Sequence, residues 1–147
     1  MNNLTVTEIQ ALYEALDDEY RALATYEQVL ADFGEVSPFS HIREAEKRHI
    51  EALCRLFARY GLAVPENPWP GKVGRYSNLQ GACETAVATE IANAKIYERL
   101  LQATEQPDIL KVFRNLQKAS QQNHLPAFRR GTKEFPSCSY EGDGGHR

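Results

Sequence analysis

The stretch REAEKRHIEAL, residues 43–53, reads as the middle of an amphipathic helix in which a glutamate and a histidine interrupt the apolar stripe. Glu46 lies four residues after Ile42, four before Ile50 and seven before Leu53, while His49 lies seven after Ile42. Side chains three, four and seven positions apart share one face of a helix, so both polar groups are aimed at the core.

The helix that holds this stretch has a start signal at Ser37-Pro38, carries Phe39, Ile42, Ile50, Leu53 and Phe57 on its stripe, and should stop at Gly61. Upstream, Thr7 with Gln10 resembles a capping box, and Ile9, Leu12, Leu16, Leu23, Leu30 and Phe33 predict a first helix over about 8–33, closed by Gly34. Downstream, GLAVPENPWPGKVGRYS, residues 61–77, holds three prolines and three glycines and cannot be regular helix. Ser77 and Gln80 offer a further capping box for a third helix over about 78–104, with Cys83, Val87, Ile91, Ala94, Tyr97 and Leu101 on one stripe. Pro107-Asp108 opens a fourth, whose stripe runs through Leu110, Phe113, Leu116, His124 and Phe128 to a stop at Gly131. The expected domain is residues 1–130, and residues 131–147 are expected to be a poorly ordered tail.

Four amphipathic helices without a strand pattern make an all-α four-helix bundle. Short links make antiparallel hairpins of helices 1 and 2 and of helices 3 and 4. The connector reaches ~50 Å when extended at ~3.3 Å per residue. A helix of about 24 residues is only ~36 Å long, so the connector can cross the whole bundle and leave helices 2 and 3 parallel.

The same reading applied to the other helices turns up more inward polar groups. Glu19 is three after Leu16 and four before Leu23, and Glu90 is three after Val87 and four before Ala94. His124 is four before Phe128, with Gln121 three before it. The two hairpins repeat: Glu19 is followed seven residues later by Tyr26, Glu90 by Tyr97, and Glu46-x-x-His49 is answered by Gln121-x-x-His124. Buried acids become neutral or find a cation, and no lysine or arginine occupies these stripe positions in mid-helix. A metal ion meets the need, since it attracts carboxylates and takes neutral imidazole as well.

One glutamate from each of two helices plus Glu-x-x-His from the others is the donor set of di-iron and di-manganese bundles. Residues 7–130 resemble the ferritin-like superfamily. The wording ALDDEYRALATYEQVLADFG, PFSHIREAEKRHIEALCRLFARYG, EIANAKIYERLL and ASQQNHLPAF is similar to the small prokaryotic family catalogued as domain of unknown function 2202. The resemblance implies Glu19, Glu46, His49, Glu90 and His124 as metal ligands, with Tyr26 and Tyr97 as hydrogen-bond partners of the ligand carboxylates. It also implies two iron ions, with manganese or zinc as substitutes, and association into a homodimer. The pattern departs at Gln121, where a fully equipped member has a second bridging glutamate; the Gln121 amide oxygen is a weak, neutral donor.

The expected activity is a metal-dependent oxidation, with dioxygen or peroxide as oxidant and ferrous iron among the candidate substrates. A non-catalytic bundle with a single or redox-silent ion, and a metal-free bundle with a polar core network, stay open as alternatives. The only methionine is Met1, which removes the internal haem ligand of bacterioferritins, and the absence of Cys-x-x-Cys removes a rubredoxin-like relay. His41 is read as solvated, and Trp69 as an anchor for the connector.

Composition excludes other classes. Charged residues at 25% and a net charge of -3 give no electrostatic basis for binding nucleic acid. No segment approaches the ~20 apolar residues of a membrane span, and the first residues lack the blocks of a signal peptide, so a cytoplasmic protein is expected. The three cysteines, Cys54, Cys83 and Cys138, have no disulfide or thiolate-metal spacing.

Overall fold

The computed structural model describes residues 3–134, which form helices joined by loops with no strand among them. Helix α1 spans Val6–Phe33, α2 Phe39–Arg59, α3 Leu79–Leu100 and α4 Pro107–Ala119; a π-helical segment, Ser120–His124, then leads without a break into α5, Leu125–Glu134. The last three pieces form one rod, so four rods make the bundle. None of these helices is long and apolar enough to cross a membrane.

The helix ends differ in detail from the sequence pattern. Helix α1 is capped by Thr5 and Glu8, not by Thr7 and Gln10: Thr5 Oγ1 accepts from the Glu8 amide at 3.0 Å, and Glu8 Oε1 accepts from the Thr5 amide at 2.8 Å. Glu8 wins because its other oxygen accepts from Thr104 Oγ1 at 2.6 Å, which ties the start of α1 to the loop after α3. Asn78, one residue beyond Ser77, caps α3 by accepting from the Gly81 amide at 2.8 Å. Ile91, expected on the buried stripe of α3, is exposed, and the stripe runs instead through Cys83, Ala86, Glu90, Ala94, Tyr97 and Leu100.

Contacts between the rods fix their directions. Glu14 pairs with Arg99 and Asp18 with Asn93, so α1 and α3 are antiparallel. Tyr13 meets Phe57 while Tyr26 meets Phe39, so α1 and α2 are antiparallel. Gln117 donates to the Ala94 carbonyl at 3.0 Å and Ser120 to that of Glu90 at 3.0 Å, which sets the fourth rod antiparallel to α3. The connector between α2 and α3 lies along α1: Tyr13 donates to the Ala63 carbonyl, Tyr20 to that of Pro65, Trp69 Nε1 to Asp17, and Arg75 to Asp32. Trp69 is thus an anchor, with the Arg21 guanidinium 5.1 Å above its ring.

The apolar core falls into two clusters. One gathers Leu12, Leu16, Leu53, Phe57, Leu100 and Phe113; the other gathers Tyr26, Leu30, Phe39, Cys83, Ala86 and Phe128. The buried Glu19, Glu46, Glu90 and His124 belong to neither cluster and form a polar layer in the bundle.

The fourth rod runs past Gly131, which was expected to stop it. Gly131 is buried within the helix, and a Cβ there would lie 2.7 Å from Cys83 Sγ. The glycine therefore serves close approach of two rods and not termination. The last residues of the expected tail, 135–147, lie outside the described residues. Gly131→Ala should destabilise the protein by about 1–2 kcal/mol through overpacking. In a Cys83→Ala background the same change should be neutral or stabilising, because alanine favours helix; paired urea unfolding curves check the reversal of sign.

Candidate metal centre

All four rods deliver donors to the polar layer, and the stripe spacing that buries them also sets their height. Glu19 comes from α1, Glu46 and His49 from α2, Glu90 from α3 and His124 from the π-helical segment. They form two triads, Glu19–Glu46–His49 and Glu46–Glu90–His124, in each of which the donor atoms lie within 4.8 Å of one another. Glu46 belongs to both. Its Oε1 is 3.6 Å from His49 Nδ1 and its Oε2 is 3.5 Å from His124 Nδ1. The outer carboxylates complete the triads, with Glu19 Oε1 3.5 Å from His49 Nδ1 and Glu90 Oε1 3.4 Å from His124 Nδ1. The two imidazoles stack, with centroids 5.4 Å apart and planes at 16°.

The tyrosines cross over between hairpins. Tyr97 of α3 donates to Glu19 Oε2 at 2.5 Å, and Tyr26 of α1 donates to Glu90 Oε2 at 2.5 Å. Each outer glutamate is held by the helix opposite its own, and its other oxygen faces a histidine. Burial, reinforced for Tyr26 by Glu90 and for Tyr97 by Glu19, pushes both phenols well above their usual range, so they remain donors.

The fit to a cation rests on the atoms left without partners. Glu46 Oε1, His49 Nδ1 and His124 Nδ1 are buried and make no hydrogen bond among the described residues. Such orphaned groups are costly unless something satisfies them. Separations of 3.4–3.6 Å are too long for hydrogen bonds. They suit two donors gripping one ion through bonds of about 2.1 Å. The residues present therefore fit a bound divalent metal at either triad.

Without a cation the layer carries strained electrostatics. Burial, then the charge of Glu19, pushes the Glu46 carboxyl well above the usual range. Burial would raise Glu19 too, but the nearby Glu46 carboxyl and His49 imidazole, with the hydroxyl of Tyr97, outweigh it and hold Glu19 low. Asp18, half-buried beside the layer and bonded by Asn93, is pushed up to about 7 by burial and by Glu19.

Gln121 takes no part. It is exposed, and the inward position on the fourth rod belongs to Ser120, whose hydroxyl lies 2.6 Å from Glu90 Oε1 and 3.0 Å from the Glu90 carbonyl. The cause is the π-helical turn, in which the Leu125 amide reaches back five residues to the Ser120 carbonyl. The wider turn moves the residue four before His124, in place of the one three before, to the inner face. Pro126 promotes this, since it has no N–H to offer Gln122 and its ring crowds that carbonyl. Sequence reasoning missed Ser120 and Asp18; a proline two residues after His124 was the available signal for the first, and none pointed to the second.

The fold matches the crystal structure of hypothetical protein MJ0754 from Methanococcus jannaschii DSM 2661 with a TM-score of 0.77 and 23% identity, over 93% of this chain and 86% of that one. That likeness establishes the helical fold. No family model and no curated protein sequence matches the chain.

The raised groups give a pH signature. In metal-free protein, Glu46 and Asp18 bind more protons folded than unfolded once the pH exceeds their ordinary values of 4.5 and 3.8. Stability should therefore fall as pH rises from about 4 through 7, whereas low Glu19 works in the opposite sense only below about 4.5. Urea unfolding of chelator-treated protein across this range checks it: Glu46→Gln should flatten the slope and raise stability at pH 7, and an unchanged slope would contradict the assignment.

Proposed function

We propose that this chain is a ferritin-like metal protein in which Glu46 bridges two ions, one completed by Glu19 and His49 and the other by Glu90 and His124. The observation that carries this reading is the Glu46 carboxylate lying between two buried, partnerless Nδ1 atoms. The rod contacts support the ferritin-like wiring: with α1 antiparallel to both α2 and α3, the last two run the same way and the connector must cross the bundle. The chain's wording supports placing it beside the family catalogued as domain of unknown function 2202. Iron is the proposed resident metal, and manganese and zinc suit the same donors.

Bound iron would supply electrons to dioxygen or peroxide, with ferrous iron as one candidate substrate. The chain's own contribution is positional and protonic. Tyr97 and Tyr26 each hold one oxygen of Glu19 and Glu90, which turns the other toward the ion sites; that second oxygen of Glu90 also accepts from Ser120. Glu46, protonated when the layer is empty, gives up its proton as a cation arrives, so metal affinity should rise with pH. The two apolar clusters keep bulk water from the layer on either side.

A second reading, one ion without turnover, is favoured by a specific feature. Three carboxylates leave two divalent ions with a residual positive charge, and Ser120 already bonds the Glu90 oxygen that the second triad needs. The Glu19–Glu46–His49 triad should then fill first.

Elemental mass spectrometry on anaerobically reloaded protein, followed by oxygen uptake in air, separates the two. Near two irons per chain with oxygen consumption supports the first reading, one silent ion the second, and none would remove both. Tyr26→Phe and Tyr97→Phe should each weaken metal affinity by about 10–100-fold. Gln121→Glu should leave it unchanged, since that side chain faces solvent.

A further inference from the structure

A cavity of about 410 Å³ opens between α2 and the fourth rod, and both centre histidines, His49 and His124, line it. Its volume is that of a small-molecule site. Three features of its wall point to one class of occupant. No aspartate or glutamate lines it, although the chain has 20 acids. Arg48, Arg130 and His41 do line it, and neither arginine has an ion pair or hydrogen bond among the described residues. Between its charged ends Ile42, Ala45 and Ala127 give the wall an apolar stretch, and Ser37 and Asn123 are its neutral polar members.

Length follows from the helices. His41 lies eight residues before His49, and Arg130 six after His124. At ~1.5 Å per residue these steps span ~12 Å and ~9 Å along the two walls. Phe39 packs on Phe128 and the Cβ position of Gly131 lies 3.6 Å from Pro38, so the His41 and Arg130 ends of the walls coincide.

We propose that this cavity binds an elongated organic anion, with its carboxylate at the Arg130–His41 end and its apolar body along Ile42, Ala45 and Ala127 toward the two histidines. An arginine fork suits a carboxylate in particular, and a net positive wall on an acidic protein selects anions against neutral molecules of the same shape. The binding site stands on the cavity alone; only its use as a substrate site rests on the metal centre proposed above.

The test is calorimetric titration of the full chain as purified, with no metal added, using octanoate as probe and octan-1-ol and acetate as comparators. Octanoate should bind at least tenfold more tightly than either. Arg130→Gln should weaken octanoate at least tenfold and Arg48→Gln severalfold, with Arg130→Lys recovering part of the loss; both arginines are exposed, so the fold should survive. Octan-1-ol binding as well as octanoate would reduce the cavity to an apolar groove, and acetate binding as well would reduce it to a diffuse positive patch. Either result, no octanoate binding, or binding indifferent to both arginine changes would overturn the proposal. Metal content measured on the same samples reports on the centre separately, so failure of one idea is not mistaken for failure of the other.

Discussion

Three carboxylates are packed into one layer of a helical bundle, and no lysine or arginine bonds any of them among the described residues. Much of the structure follows from accommodating that charge. Apolar side chains cannot fill the layer, so the core is divided into a cluster on each side of it. The outer glutamates are each restrained by a tyrosine from across the bundle, and the middle one, Glu46, is left with an oxygen that nothing among the described residues satisfies. A protein that needed only a stable core would gain from leucine at these positions, since buried ionic groups commonly break even or lose against well-packed apolar ones. The layer makes physical sense as a site that waits for positive charge.

The two halves of that site are related but unequal. Glu19 with Tyr97 and Glu90 with Tyr26 mirror each other, as do His49 and His124. The fourth rod breaks the symmetry, because its π-helical turn presents Ser120 where α2 presents Glu46. A neutral hydroxyl there removes one carboxylate from the charge balance and engages Glu90 directly. Two divalent ions in the triads would keep an excess of positive charge, next to a cavity lined by Arg48 and Arg130. Both features would favour an anion in that cavity.

Much of this was legible in the sequence because helical periodicity is a local property. Glu19, Glu46, His49, Glu90 and His124 each sit three, four or seven residues from apolar neighbours, and burial of those neighbours forces the polar groups inward with them. The pairing of tyrosines with glutamates was legible as a role, but its crossed pattern depends on α1 and α3 running antiparallel side by side, which spacing within one helix does not encode. Gln121 was misplaced because the reading assumed α-helical geometry through a turn that Pro126 widens. The capping residues were displaced by one or two positions, since Glu8 is recruited by Thr104 from a loop far along the chain. The charged cavity could not be read at all, for it joins faces of helices more than seventy residues apart.

The central claim is that Glu46 lies between two ion positions. The most direct measurement is anomalous diffraction at the metal absorption edge from crystals grown after anaerobic reloading with ferrous iron. The account predicts peaks bonded to Glu46 on both sides, one also bonded to Glu19 and His49 and the other to Glu90 and His124, with the first the stronger where loading is partial. Well-ordered density for an empty layer, or metal bound only at surface acids and histidines, would contradict it.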